Sequence, residues 1–164
     1  MDKYYYFLSE LPFLKFGQRP QIKKKEFIEE ASKWLSEKDL NSLCDTSSNN
    51  FYIRNNKIAA IREYQRFEKQ LREELVLYRK GAQKDKNKKT QILNSSSIEG
   101  NPLEVEKKLL LSRWKFIEER EAGNNFNFTM VSLYFLKLQI LERLSTFNKA
   151  KGKITFKALC KVRT

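Results

Sequence analysis

The stretch from Met130 to Phe147 reads MVSLYFLKLQILERLSTF, and its apolar side chains fall on every face of a helix through the first three turns. A helix that is apolar all round is one enclosed by other helices. A membrane span needs roughly 18 or more uninterrupted apolar residues, and this run is broken by Ser132, Lys137, Gln139, Glu142 and Arg143. The pattern therefore predicts a buried core helix. From Asn56 to Lys80, the side chains Ile58, Ile61, Tyr64, Phe67, Leu71, Leu75 and Tyr78 recur at intervals of three and four, which predicts the longest amphipathic helix of the chain. Its length, roughly 25 residues or about 37 Å, is enough to project beyond a core. Within it, Glu68 and Arg72 are spaced i,i+4 and read as a surface ion pair worth a few tenths of a kcal/mol.

Asn101, Pro102 and Glu104 supply an N-cap, a first-turn proline and the acid of a capping box. Leu103, Leu109, Leu110, Trp114 and Ile117 give the helix that follows an apolar side, and Gly123 suits its C-terminal cap. Residues 102–147 are thereby predicted to form an αα-hairpin. Upstream, Phe27, Ala31, Trp34 and Leu35 mark one face of a helix over residues 23–35, with a shorter helix over 37–43. The aromatic leader from Tyr4 to Phe16 is too short and continuous for periodicity to separate helix from strand. So many aromatic rings nevertheless belong to a core. Residues 45–50 read as a polar loop, residues 81–100 as a basic and polar internal linker, and residues 149–164 as a basic tail of helix or strand. The expected covers of the Met130–Phe147 helix are the leader, the 56–80 helix and the 102–121 helix. The whole is an all-α fold, a single helical domain over residues 1–164 built as a bundle around that buried helix.

Composition adds the question of partners. The 164 residues carry a net charge of +13, which calls for an anionic partner: nucleic acid, an acidic protein or a membrane surface. Residues 79–89 contain six basic side chains and one acid, and residues 149–164 contain six basic side chains and none, together +11 of the +13. The remaining body is almost neutral. Partner-binding candidates are accordingly Arg62, Arg66, Lys69, Arg72, Arg79 and Lys80 along the long helix, with Lys84, Lys86, Lys88 and Lys89 in the linker.

Catalysis finds no footing. There is no histidine, the commonest general acid and base, and Cys44 and Cys160 are too few and too far apart for a metal site. The five glycines form no phosphate-binding or nucleophile-elbow motif. Adjacent glutamates at 29 and 30, 73 and 74, and 118 and 119 point about 100° apart on a helix and do not converge. A non-enzymatic chain without cofactor or metal is expected. For nucleic acid, KGKITF at Lys151–Phe156 is faintly similar to the basic-Gly-aromatic strand of an RNA-recognition domain, with Ile154 and Thr155 departing from that pattern. Asp2 and the lack of a small-residue cleavage site argue against a signal peptide, and the two cysteines fit a reducing, cytoplasmic location.

Three stretches also carry a resemblance. MDKYYYFLSELPFLKFG, IREYQRFEKQLREELVLYRK, and NPLEVEKKLLLSRWKFIEE followed by YFLKLQILERLSTFNKAKG resemble an uncharacterised bacterial family encoded beside the subunits of V/A-type ATPases. The block from NPLE to ILER is the most specific of them. The resemblance implies a non-catalytic component or assembly factor of the rotary ATPase, loosely similar to the helical central-stalk socket that seats the rotor axle on the membrane ring. It also implies stalk subunits as partners and a peripheral position on the inner face of the membrane. A basic nucleic-acid-binding helical domain is the alternative.

Overall fold

The computed structural model describes residues 2–46, 58–80, 92–93 and 95–160. Among these residues the secondary structure is entirely helical: α1 (Asp2–Glu10), α2 (Lys24–Trp34), α3 (Glu37–Cys44), α4 (Ala59–Arg79), α5 (Ser95–Ile98), α6 (Pro102–Glu121), α7 (Phe128–Ser145) and α8 (Lys149–Leu159). α7 is the centre. Every residue from Val131 to Leu138 is buried, and α1, α2, α3, α4 and α6 all pack on it.

Two of those covers, α2 and α3, go beyond the three expected from sequence. Phe27 of α2 brings them in, because its ring lies 5.4 Å from Phe7 of α1 and 5.5 and 5.3 Å from Tyr134 and Phe135 of α7. Stacked and tilted rings at this separation hold three helices to one point. α3 follows through buried Leu43 and through Gln139, whose amide donates to the Thr46 carbonyl at 3.1 Å.

The aromatic leader resolves into α1 and an extended segment. Only part of it is core: Phe7 and Leu14 are buried, whereas Tyr5, Tyr6 and Phe13 are exposed, Phe13 at 82%. Its polar ends tie it down. Tyr4 donates to Asp39 at 2.8 Å, and burial followed by that carboxylate pushes the phenol up to about 12. Tyr134 donates to the Pro12 carbonyl at 2.7 Å.

The second half of α4 runs past the main core onto a small cluster of its own. The helix's 21 residues cover about 31 Å. Leu71 is fully buried in a second small cluster with Leu93 and Leu109, against which Phe67 and Leu75 also pack. Leu93 belongs to the segment expected to be linker. Residues 81–91, and with them Lys84, Lys86, Lys88 and Lys89, lie outside the described residues, as do residues 47–57. The described part of that segment, Ile92, Leu93 and residues 95–100, is docked structure. Glu74, itself buried, accepts the backbone N–H groups of Ile92 at 3.2 Å and Leu93 at 2.9 Å. Lys108 donates to the carbonyls of Ser96 and Glu99, both at 2.7 Å.

The α6 start follows its sequence signature. The Asn101 side chain accepts from the Glu104 N–H at 3.0 Å and the Glu104 carboxylate accepts from the Asn101 N–H at 3.4 Å. Gly100 has φ +121°, and a Cβ there would lie 2.5 Å from the Glu104 carboxylate, so only glycine admits this box. Leu103, expected on the apolar side, is 44% exposed, because the first turn of α6 extends past the core. We expect Asn101→Ala to lower stability by about 1 kcal/mol, read as a fall of roughly 2–4 °C in Tm by circular dichroism. Asn127, which caps α7 by accepting from the Met130 N–H at 2.9 Å, opens the return helix of the hairpin in the same way.

Candidate interaction surface

Where α4 and α6 lie side by side, their outer edges enclose an open groove of about 570 Å³. Residues 63, 66, 67 and 70 reach it from α4 and residues 112, 115, 116, 119 and 120 from α6, with Ile92 between them. Both helices contribute at intervals of three and four, the spacing that keeps side chains on one face. Its floor is aromatic: Phe67 and Phe116 stack at 4.2 Å with their planes 23° apart. Arg120 lies over Phe116 at 3.7 Å and is bound to Glu63 at 3.2 Å and Glu119 at 2.9 Å. The two groove acids are thus taken up by one arginine. Arg66 and Lys115 have no acidic partner among the described residues, so the accessible rim is cationic over an aromatic floor.

A buried ion cluster sets how α4 meets α6 behind this groove. Glu68 is 0% exposed and accepts three hydrogen bonds: from Arg72 at 2.9 Å, and from Arg113 through Nε at 2.8 Å and Nη2 at 2.9 Å. The two-point Arg113 contact has the fork geometry that fixes orientation as well as charge. Burial pushes the Arg113 guanidinium down, and the bonds and charge of Glu68 outweigh it, holding the group above its ordinary value. Burial, with the neighbouring Glu68 charge, also raises Tyr64. The surface placement read from the i,i+4 spacing of Glu68 and Arg72 is thereby corrected. Arg113, 45 residues away, binds the acid in the interior, while the Arg72 side chain stays part-exposed.

A second cluster lies where α6 turns into α7. Lys137, buried despite its charge, pairs with Glu121 at 2.5 Å and Glu118 at 3.7 Å and sits 4.8 Å from the Trp114 ring centre. Burial raises Glu121, partly opposed by the Lys137 bond. Trp114 donates to Glu118 at 2.7 Å. Glu121 and Lys137 stand at one side of a mostly apolar cleft of about 250 Å³, walled by Leu8, Phe13, Phe126 and Met130. The volume is below the roughly 300–1,000 Å³ of typical small-molecule sites. Among the described residues no group of acids, cysteines or histidines is arranged to hold a metal.

The candidate cations separate by position. Arg66 and Lys69 are exposed on the outer side of α4, with Arg62 half-buried one turn before them. Arg66 lines the groove, Lys69 pairs with Glu73 at 3.9 Å, and Arg79 and Lys80 are exposed at the helix end. Arg72 is turned into the Glu68 cluster. Lys115, Phe116 and Arg120 were not picked out from sequence. Their signal was the i,i+4 placement of Phe116 and Arg120 beside Lys115 on a helix already predicted. KGKITF, compared above with a strand, is part of α8; the departure of Ile154 and Thr155 from the strand pattern was the telling feature.

Residues 89–162 match the model of a family described as "Protein of unknown function (DUF2764)", to which the chain is thus similar over α5 to α8. No curated protein and no solved structure matches the chain.

Proposed function

We propose that this protein is a non-catalytic component or assembly factor of a bacterial V/A-type ATPase that works by presenting helix faces to the stalk subunits. One observation carries the reading. The sequence block with the most specific resemblance to the ATPase-linked family, NPLE to ILER, forms the α6–α7 hairpin at the centre of the fold, and it lies within the stretch matched by the family model. The cationic rim of the α4–α6 groove, with Arg66 and Lys115 over stacked Phe67 and Phe116, suits an acidic helix that also carries apolar side chains.

Affinity capture of the tagged chain from its own cells, read by mass spectrometry, tests this. ATPase subunits are expected among the captured proteins, and recovery should fall for the double variant Arg66→Glu, Lys115→Glu with helicity unchanged. Abundant bait without ATPase subunits would remove the proposal.

A further inference from the structure

The cleft between the aromatic leader and the α6–α7 turn contains a carboxylate that is only half used. Lys137 Nζ bonds Glu121 through Oε2, and Glu121 Oε1 has no partner among the described residues. Glu121 lines the cleft. Lys137 is shared with Glu118 at 3.7 Å, so two carboxylates face one ammonium and the cluster holds an excess negative charge. The cleft walls are apolar, with aliphatic surface from Leu8 and Met130 and ring surface from Phe13 and Phe126. Both rings are open to solvent, Phe13 at 82% and Phe126 at 48%, and Tyr5 braces Phe126 at 4.6 Å. Phe126 keeps its place with a φ of +51°, a left-handed conformation in which a bulky residue is strained.

We propose that this cleft is a socket for one lysine side chain of a partner polypeptide, its methylene stem among Phe13, Phe126 and Met130 and its ammonium on Glu121. An apolar stem with a charged tip fits apolar walls that end on an acid, and aromatic faces beside an ammonium add a cation–π contribution. With the lysine bound, two ammoniums balance two carboxylates. A wholly apolar side chain would bury the Glu121 oxygen without a partner. An acidic one would meet two carboxylates whose only cation is already engaged. A guanidinium fork takes both oxygens of a carboxylate, and here Oε2 is occupied. The cleft volume of about 250 Å³ is below the range of small-molecule sites and suits a single side chain. A second copy of the chain is disfavoured as the partner, because two bodies of charge +13 repel. The inference does not depend on the ATPase reading.

The chain has two methionines, Met1 and Met130, so methyl-labelled methionine gives the cleft an NMR signal of its own. The full-length chain is titrated with N-acetyl-lysine methylamide, with the norleucine analogue that lacks only the ammonium, and with the glutamate analogue. The lysine compound should shift the Met130 signal to saturation, and the other two should bind at least about tenfold more weakly. n-Butylammonium, which has the head and stem but no backbone, should bind no tighter than the lysine compound. Phe13→Ala removes an exposed ring, so it should leave the melting curve unchanged and weaken the lysine compound several-fold. Glu121→Gln should bring the lysine compound down to the norleucine level, and if that variant does not fold, the comparison of compounds on the parent chain decides. An unmoved Met130 signal, equal binding of the lysine and norleucine compounds, or tighter binding of the glutamate compound or of butylammonium would each overturn the proposal. So would lysine binding that Phe13→Ala leaves unchanged, or a concentration-dependent dimer that Phe13→Ala dissolves.

Discussion

Leu138→Asp is expected to abolish the native fold rather than to remove a partner selectively, and Leu141→Asp to do the same. Leu138 is 0% exposed and Leu141 1%, both in the main core cluster, on the helix that five others cover. Truncating a buried leucine to alanine alone costs about 2–5 kcal/mol, and an unpaired carboxylate in the same space adds several more. A domain has about 5–15 kcal/mol in total, so the sum consumes most or all of it. The expected observation is loss of the cooperative thermal transition, with lower helicity at 222 nm. Ser145→Asp, on the exposed last turn of α7, should stay within about 0.5 kcal/mol of the parent. A Leu138→Asp protein that melts cooperatively and has lost only a binding partner would mean α7 is a contact surface, contrary to its burial.

The centre of the fold was legible because its signals are local. An all-round apolar run, a capping box and a stripe at three and four each depend on residues within a few positions of one another, and α7, the α6 start and α4 match those readings. What escaped depends on the third dimension. α2 and α3 show apolar faces in the sequence, but nothing in an 11- or 8-residue pattern names α7 as their partner; the Phe27 ring does, through contacts more than 100 residues apart in the chain. Leu93 was hidden by the polar composition around it. Its backbone N–H is taken up by Glu74, which sits beside exposed Glu73 and is distinguished from it only by facing inward. The candidate surface was half legible for the same reason. Arg66 stood out as a cation on a predicted outer face, whereas the groove it lines exists only once α6 brings Phe116 against Phe67.

Glu68→Ala should be nearly as damaging as a core truncation, although the sequence shows only an acid one turn from a base. The carboxylate is fully buried, and the Arg113 side chain that it binds at two points is 13% exposed. Removing the acid leaves a guanidinium in a place where burial already disfavours charge, and breaking a buried pair from one side costs about 3–5 kcal/mol. For a chain of this size that is a fall in Tm of roughly 6–20 °C. Arg72 contributes less, because its side chain is 37% exposed and can turn its head group to water. The decisive comparison is Glu68→Leu with Arg113→Met. Apolar residues of similar volume commonly replace a buried pair without loss, so the double variant should recover most of the stability that Glu68→Ala loses, and the cycle should be strongly non-additive. A Glu68→Ala shift below about 2 °C would show that Arg113 escapes to solvent and that the cluster does not hold α4 on α6. If the double variant folds well but loses the partners captured by the parent, the cluster's role is to set the register of the two helices, because the stacked Phe67 and Phe116 lie on the same two helices that Glu68 and Arg113 join.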